Sequence, residues 1–129
     1  MPRPPSSQPT EVELQILRIL WEEGHSTARQ IHNRLADVRD TNYSTTVKML
    51  SVMLDKGLVQ RDDTVHPQVF RPAATQQSTQ QQMLKDLIQK AYNGSAGNLV
   101  LQALASQKAS PDELAEIRRL LNEPEGGEP

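Results

Sequence analysis

The sequence contains no cysteine and very few aromatic residues. Its 129 residues include one tryptophan, two tyrosines and one phenylalanine, which together make up 3% of the chain. The absence of cysteine excludes a disulfide framework and any thiolate metal site. Because aromatic side chains are scarce, a core has to be built from leucine, isoleucine, valine, methionine and alanine, and this favours helices.

The chain also lacks a long apolar run and a strong charge of either sign. No apolar stretch approaches the roughly 20 residues that cross a bilayer, and the start, MPRPPSSQPT, is unlike a signal peptide. We therefore expect a cytoplasmic protein with no membrane insertion. The net charge is −2, and residues 1–73 carry nine basic and nine acidic side chains. Any nucleic acid therefore has to be bound by a local patch.

The two ends are polar and rich in proline or glycine. We predict that residues 1–9 form a disordered lead and that residues 123–129 form a disordered tail.

The sequence of residues 10–36 predicts two helices joined by a short turn. The first, TEVELQILRILWEEG, has Thr10 as its cap, Glu13 to complete a capping box and Gly24 at its end. The second, STARQIHNRLADV, can be capped by Ser26. Only Gly24 and His25 separate the two helices, and so short a joint predicts a helix–turn–helix corner.

A third helix and a hairpin complete this part. The helix lies in NYSTTVKMLSVMLDKG, with Val47, Leu50 and Leu54 predicted as its inward stripe. Two short strands follow, at about residues 58–62 and 68–72, with a polar turn between them. Three helices followed by a hairpin predict a winged helix–turn–helix domain over residues 10–73, in a mainly α chain.

Residues 74–122 predict three more helices. They cover about 75–93, then NLVLQALASQ, then SPDELAEIRRLLNE, in which Ser110, Pro111 and Glu113 mark a clear start. So small a region cannot bury its own apolar surface, and the middle helix is apolar around most of its circumference. We predict a homodimer through this region, with contacts from Leu84, Leu87, Ile88, Tyr92, Leu99, Val100, Leu101, Leu104, Leu114, Ile117, Leu120 and Leu121.

The third helix also carries short polar side chains away from its predicted core stripe. Short hydroxyls allow close approach to DNA, threonine methyls can touch thymine methyls, and a cation reaches guanine or phosphate. The candidate reading residues are Ser44, Thr45, Thr46, Lys48 and Met49. The candidate phosphate contacts are Thr27, Arg29, Tyr43, Lys56 and Arg61. The alternative is a winged-helix protein–protein interaction module, in which the hydroxyls only cap a helix and the lysine is only solvated.

Six stretches together resemble the BlaI/MecI-type penicillinase repressors of bacteria. They are TEVELQILRILWEEG, TARQIHNRL, YSTTVKMLSVMLDKGLVQRD with VFRP, and GSAGNLVLQAL with SPDELAEIRRLL. The resemblance covers about residues 10–122 and implies a dimeric winged-helix repressor that binds a palindromic operator on double-stranded DNA. It implies base-facing roles for Thr45, Thr46, Lys48 and Met49, and phosphate or wing roles for Tyr43, Lys56 and Arg61.

The resemblance further implies that repression ends by proteolysis, through a protease linked to a membrane sensor. The matching segment contains Leu101, Gln102 and Ala103, where family members cut in this way often carry an asparagine–aromatic pair. We expect no cofactor, and no metal site because His25, His32 and His66 are widely scattered. No nucleophile–base pattern or phosphate loop is present, so we expect no enzyme activity.

Overall fold

A computed structural model describes residues 8–123 of the chain. The predicted lead and tail therefore lie almost wholly outside the described residues. The elements are α1 (Glu11–Glu23), β1 (Ser26–Thr27), α2 (Ala28–Ala36), α3 (Tyr43–Asp55), β2 (Val59–Asp62), β3 (Val69–Pro72), α4 (Gln76–Ala91), α5 (Ala96–Ser106) and α6 (Pro111–Asn122). This order confirms the predicted winged helix–turn–helix followed by a helical region.

The described chain divides into two compact units within α4, between Met83 and Leu84. We call them the N-terminal unit and the C-terminal unit. The division falls later than the predicted joint at residues 73/74. The residues just before α4 are tied to the N-terminal unit, because the Trp21 Nε1–H donates to the Ala74 carbonyl at 3.0 Å.

Helix starts follow local capping signals. The Thr10 hydroxyl accepts from the Glu13 N–H at 3.3 Å, and the Glu13 carboxylate accepts from the Thr10 N–H at 2.9 Å. Ser110 and Glu113 form the same reciprocal box at the start of α6. The predicted cap of α2 was wrong, because Thr27 and not Ser26 occupies that place and pairs with Gln30.

Ser26 instead belongs to a third strand that the sequence did not reveal. The sheet has the order β1-β3-β2 and both pairings are antiparallel, with Ser26 opposite Phe70 and Arg61 opposite Phe70 on the other side. The wing formed by β2 and β3 is thus anchored to the joint between α1 and α2. A strand of two residues has too few positions to show an alternating pattern.

The N-terminal unit encloses a continuous apolar core. Its buried residues come from all three helices and from the wing: Ile16, Leu17, Ile19, Leu20, Ile31, Leu35, Leu50, Met53, Val59 and Phe70. The predicted inward stripe of α3 was partly wrong. Thr46 is fully buried whereas Val47 is 41% exposed, so the inward stripe is Thr46, Leu50 and Met53.

The C-terminal unit has no such core. None of the described residues of α4, α5 or α6 is buried. Ile88, Tyr92, Leu99, Leu114 and Ile117 are half-buried. The exposed large apolar side chains are Leu84, Leu87, Val100, Leu101, Leu104, Leu120 and Leu121.

The break between α4 and α5 has a clear backbone cause. Asn93 and Gly94 both have positive φ, at 50° and 82°, a region that glycine adopts without strain. The Gly94 N–H donates to the Ile88 carbonyl at 2.9 Å, and the Ser95 hydroxyl then accepts from the Asn98 N–H to begin α5. Over residues 8–123, no helix has both the length and the apolar character needed to cross a membrane.

Candidate nucleic-acid interface

The outward face of α3 presents small side chains around one lysine. Ser44, Thr45, Val47, Lys48 and Ser51 are all exposed. The helix begins at Asn42, whose side-chain oxygen accepts from the Thr45 N–H at 2.9 Å and from the Ser44 hydroxyl at 3.0 Å. Apart from Lys48, and from Tyr43 at the first position of the helix, the exposed side chains of this face are no longer than valine, so another molecule can approach the backbone closely.

Lys48 is without a partner, a condition that it shares with Arg18 of α1 among the lysines and arginines of the described N-terminal unit. Within residues 8–123 it forms no ion pair or hydrogen bond, and it is exposed in the second turn of α3. Arg34 by contrast is paired with Glu22 and Glu23, and Arg61 Nε lies 2.8 Å from Asp63 Oδ1. The charge of Lys48 is therefore available to a ligand.

Aromatic stacking joins the start of α3 to α2. The Arg29 guanidinium lies 3.8 Å from the centre of the Tyr43 ring, in cation–π geometry. His32 meets the same ring edge-on at 5.7 Å. Its Nδ1 lies 2.9 Å from the Thr46 hydroxyl. These contacts hold the Arg29 side chain in place beside the N-terminus of α3.

A groove with a volume of about 420 Å³ runs between α3 and the wing. Arg29 and Arg61 supply its two guanidinium groups, and Val47 lies on the α3 side. Other lining residues are Thr27, Ala28, Tyr43, Leu50, Ser51, Leu54, His66, Pro67, Gln68 and Phe70. The groove thus brings together predicted phosphate contacts from α2, α3 and the wing.

The tip of the wing is acidic. The Thr64 hydroxyl and the Thr64 N–H both donate to Asp62, and these hydrogen bonds lower the pKa of the Asp62 carboxyl below its usual value. Asp62 therefore stays ionised beside Asp63. This places negative charge next to Arg61 and limits how much DNA phosphate the wing can attract.

Two of the predicted DNA contacts, Thr46 and Lys56, are corrected by the structure, and Met49, which is half-buried, stays a prediction. The Thr46 side chain is 0% exposed and bonded to His32, so it cannot touch a base edge. Met49 is half-buried against the core. Lys56 is only 10% exposed and its Nζ lies 2.6 Å from Glu13, so it is not free to bind phosphate.

Glu13 and Lys56 form a largely buried ion pair. Burial opposes the charged form of Glu13, but hydrogen bonds from Lys56 and from the Thr10 backbone outweigh it, and the pKa of Glu13 is lowered. Lys56 also donates to the Gln8 carbonyl at 3.3 Å. The lysine therefore fixes the end of α3 to the start of α1.

The structure adds Val47 to the exposed face of α3. Val47 was missed because the stripes Val47–Leu50–Leu54 and Thr46–Leu50–Met53 both have helical spacing, and apolar character favoured the first. Ser51 lies one turn after Val47, so its exposure follows from the same rotation of the helix. The sequence offered one signal for this, which is that His32 can bond a threonine of α3. That signal can be used only when the packing of α2 on α3 is known.

Comparison with known proteins gives a match over almost the whole chain. The profile of the penicillinase repressor family matches residues 9–123. The methicillin resistance regulatory protein MecI of Mammaliicoccus sciuri is 23% identical over 113 residues, which cover 88% of this chain and 92% of that protein. MecI of Staphylococcus aureus is 22% identical over the same coverage. The penicillinase repressor of Bacillus licheniformis is 20% identical over 116 residues, 90% of this chain and 91% of that protein.

Proposed function

The chain belongs to the penicillinase repressor family of transcriptional regulators, as its sequence resemblance indicated, and on that premise we propose that it acts as a homodimer that binds a palindromic DNA operator through α3. The observation that carries the proposal is the outward face of α3, where small hydroxyl side chains surround Lys48, which has no partner within the described residues.

The chemistry of this face suits the major groove. Ser44 and Thr45 can bond base edges or phosphate, and Lys48 can reach guanine acceptors. The N-terminus of α3 favours a phosphate anion, since its backbone N–H groups and helix dipole point outward there. Arg29, held over Tyr43, and Arg61 in the groove are the proposed phosphate contacts that set the position of the helix on DNA. Thr27 and the Tyr43 hydroxyl add polar groups along the same groove.

The proposed homodimer rests on the apolar surface of the C-terminal unit. Its described residues include no buried side chain, and Leu101 is 70% exposed. A second copy of the same unit is the occupant that matches this surface, because a two-fold interface pairs one apolar patch with itself. A two-fold protein in turn presents two α3 helices to two half-sites, which requires a palindromic operator.

Dimerisation is also what makes occupancy of the operator possible. Non-specific binding of DNA-binding proteins has dissociation constants of only about 10⁻⁴–10⁻⁶ M at physiological salt, and one winged helix offers few contacts to improve on this. Two linked modules bind the second half-site intramolecularly, at an effective concentration of the order of millimolar. The strength of repression therefore depends on the C-terminal unit, even if that unit touches no DNA.

Proteolysis in α5 is the proposed way in which repression ends. The segment Leu101–Gln102–Ala103 is exposed in the single chain. A cut there would separate α6 and the end of α5 from the rest of the proposed interface. We propose a protease linked to a membrane sensor as the partner that makes this cut.

A protein–protein interaction module is the second candidate function. It is favoured by the ion pairing of the N-terminal unit, in which Glu13, Glu22, Glu23 and Asp63 neutralise Lys56, Arg34 and Arg61. Such a module needs no basic surface and would not bind duplex DNA.

A salt titration of DNA binding distinguishes the two functions. The intact chain is incubated with a pool of random duplexes, and bound sequences are selected and amplified. On a selected palindrome, a repressor gives a logarithm of affinity that falls linearly with the logarithm of salt concentration, because phosphate contacts release counterions. Failure to enrich any duplex, together with no binding at low salt, would favour the interaction module.

A further inference from the structure

Val47 is an exposed apolar side chain in the middle of the proposed reading face. It is 41% exposed, although its spacing with Leu50 and Leu54 is that of a core residue. Ser44 and Lys48 flank it along the helix, and Tyr43 and Ser51 lie one turn before and after it on the same side. Nothing in the core of the N-terminal unit requires a valine at this position, since Thr46 takes the inward place.

The surroundings of Val47 indicate what it can contact. It lines the groove that contains the guanidinium groups of Arg29 and Arg61, which are the proposed phosphate contacts. DNA whose backbone is bound by these groups would be brought against Val47, which lines the same groove. Its side chain has no hydrogen-bonding atom, so it can read only an apolar group.

The major groove displays one such group, the C5-methyl of thymine. The χ1 angle of a valine in a helix is already restricted to one preferred rotamer, so its methyl groups are held in place before binding.

We infer that Val47 reads the methyl group of a thymine in each half-site and is a specificity-determining residue of this protein. The inference rests on the proposed function. It adds that each half-site of the operator contains a thymine whose methyl group is contacted. It is tested with the intact chain on a palindrome selected from random duplexes. Each thymine is replaced in turn, symmetrically in both half-sites, by deoxyuridine, which lacks only the methyl group.

The wild-type chain should lose affinity at one symmetric thymine position. Burial of one methyl group corresponds to a loss of about fourfold per half-site, or about fifteenfold for the palindrome. Val47→Ala should bind the thymine operator more weakly and should show no further loss with deoxyuridine at that position. Alanine favours a helix more than valine does, so the variant should fold. Val38→Ala, which changes a 64% exposed valine outside α3, is the matched control and should respond to deoxyuridine as wild type does.

Two results would overturn the inference. One is that, at every thymine position, the loss of affinity caused by deoxyuridine is the same for Val47→Ala as for the wild-type chain. The other is that Val47→Ala leaves affinity unchanged. Both leave the repressor function standing, because the wild-type chain still binds its operator. A wild-type chain that selects no duplex at all would instead overturn the proposed function and this inference together.

Discussion

The two compact units of the chain differ in how their apolar side chains are covered. In the N-terminal unit, α1, α2, α3 and the wing enclose ten buried apolar residues. In the C-terminal unit, the described part of the chain comprises the end of α4 with α5 and α6, and it contains no buried residue. Both units have similar helices, so helix formation alone does not make a core.

The difference indicates that the N-terminal unit covers its apolar side chains within one chain, whereas the C-terminal unit does not. The polar capping of α5 and α6 fixes the helices locally, while Leu101, Leu120 and Leu121 remain exposed. Monomeric proteins rarely leave large apolar patches in water, and these exposed leucines are therefore the basis of the proposed homodimer interface. The N-terminal unit instead exposes small polar groups and a lysine on α3, and this is the surface that we propose to contact DNA.

The largest expected effect comes from a charge placed in the C-terminal unit. Leu101→Asp should abolish the dimer, because two copies would each bury a carboxylate without a partner, at a cost of about 3 kcal/mol or more. Analytical ultracentrifugation at micromolar concentration should show monomer or unfolded chain. Asn98→Asp is the matched control, since it adds the same charge one turn earlier, near the N-terminus of α5, and keeps an acceptor for Gln102. A well-folded dimer of Leu101→Asp would remove α5 from the interface.

A second change should act on the N-terminal unit only. Glu13→Gln removes the partner of the largely buried Lys56 and should lower the free energy of unfolding of that unit by roughly 3 kcal/mol. The dimer should persist when the variant is folded. Glu13→Gln combined with Lys56→Met removes both charges and should recover much of the stability. Chemical denaturation followed by tryptophan fluorescence measures both, because Trp21 lies in this unit.

The same pair predicts a dependence on pH. The pKa of Glu13 is lowered in the folded protein, so its contribution to stability is present above the ordinary glutamate pKa and is lost as the pH falls through the lowered value. The wild-type free energy of unfolding should therefore drop below about pH 4 by more than that of the double variant. Parallel curves for the two proteins would show that the pair does not contribute.

A smaller effect is expected on DNA. Lys48→Ala should weaken operator binding by about 1–3 kcal/mol if the lysine bonds a guanine, and base preference should relax at that position. If it touches only phosphate, binding should weaken equally on all sequences and the salt slope should fall by about one for each half-site. Lys85→Ala, an exposed lysine of α4, is the control. Unchanged binding by Lys48→Ala would move the reading surface away from α3.

Features that depend on neighbouring residues could be predicted from the sequence. The capping boxes of Thr10 with Glu13 and of Ser110 with Glu113 each involve residues three apart, and both are confirmed. The wing strands and the three C-terminal helices follow from local periodicity and glycine positions. Family membership was also recognisable from these distributed stretches.

Features that depend on packing between distant residues could not be predicted. Thr46 takes the inward place in α3 because His32 of α2 bonds its hydroxyl, and this leaves Val47 outside. Lys56 was predicted to bind phosphate because its partner, Glu13, lies in α1 and had been assigned only a capping role. Strand β1 exists only because Ser26 and Thr27 meet β3.

The most direct test of the account compares the N-terminal unit alone with the intact chain. A fragment of residues 1–83 keeps the whole core and the Ala74 carbonyl that Trp21 bonds, so it should fold. On one selected palindrome, a band-shift titration should show the intact chain saturating the operator at concentrations where the fragment is unbound, with the fragment binding single half-sites weakly. Equal affinity of fragment and intact chain would contradict the claim that the C-terminal unit makes repression possible.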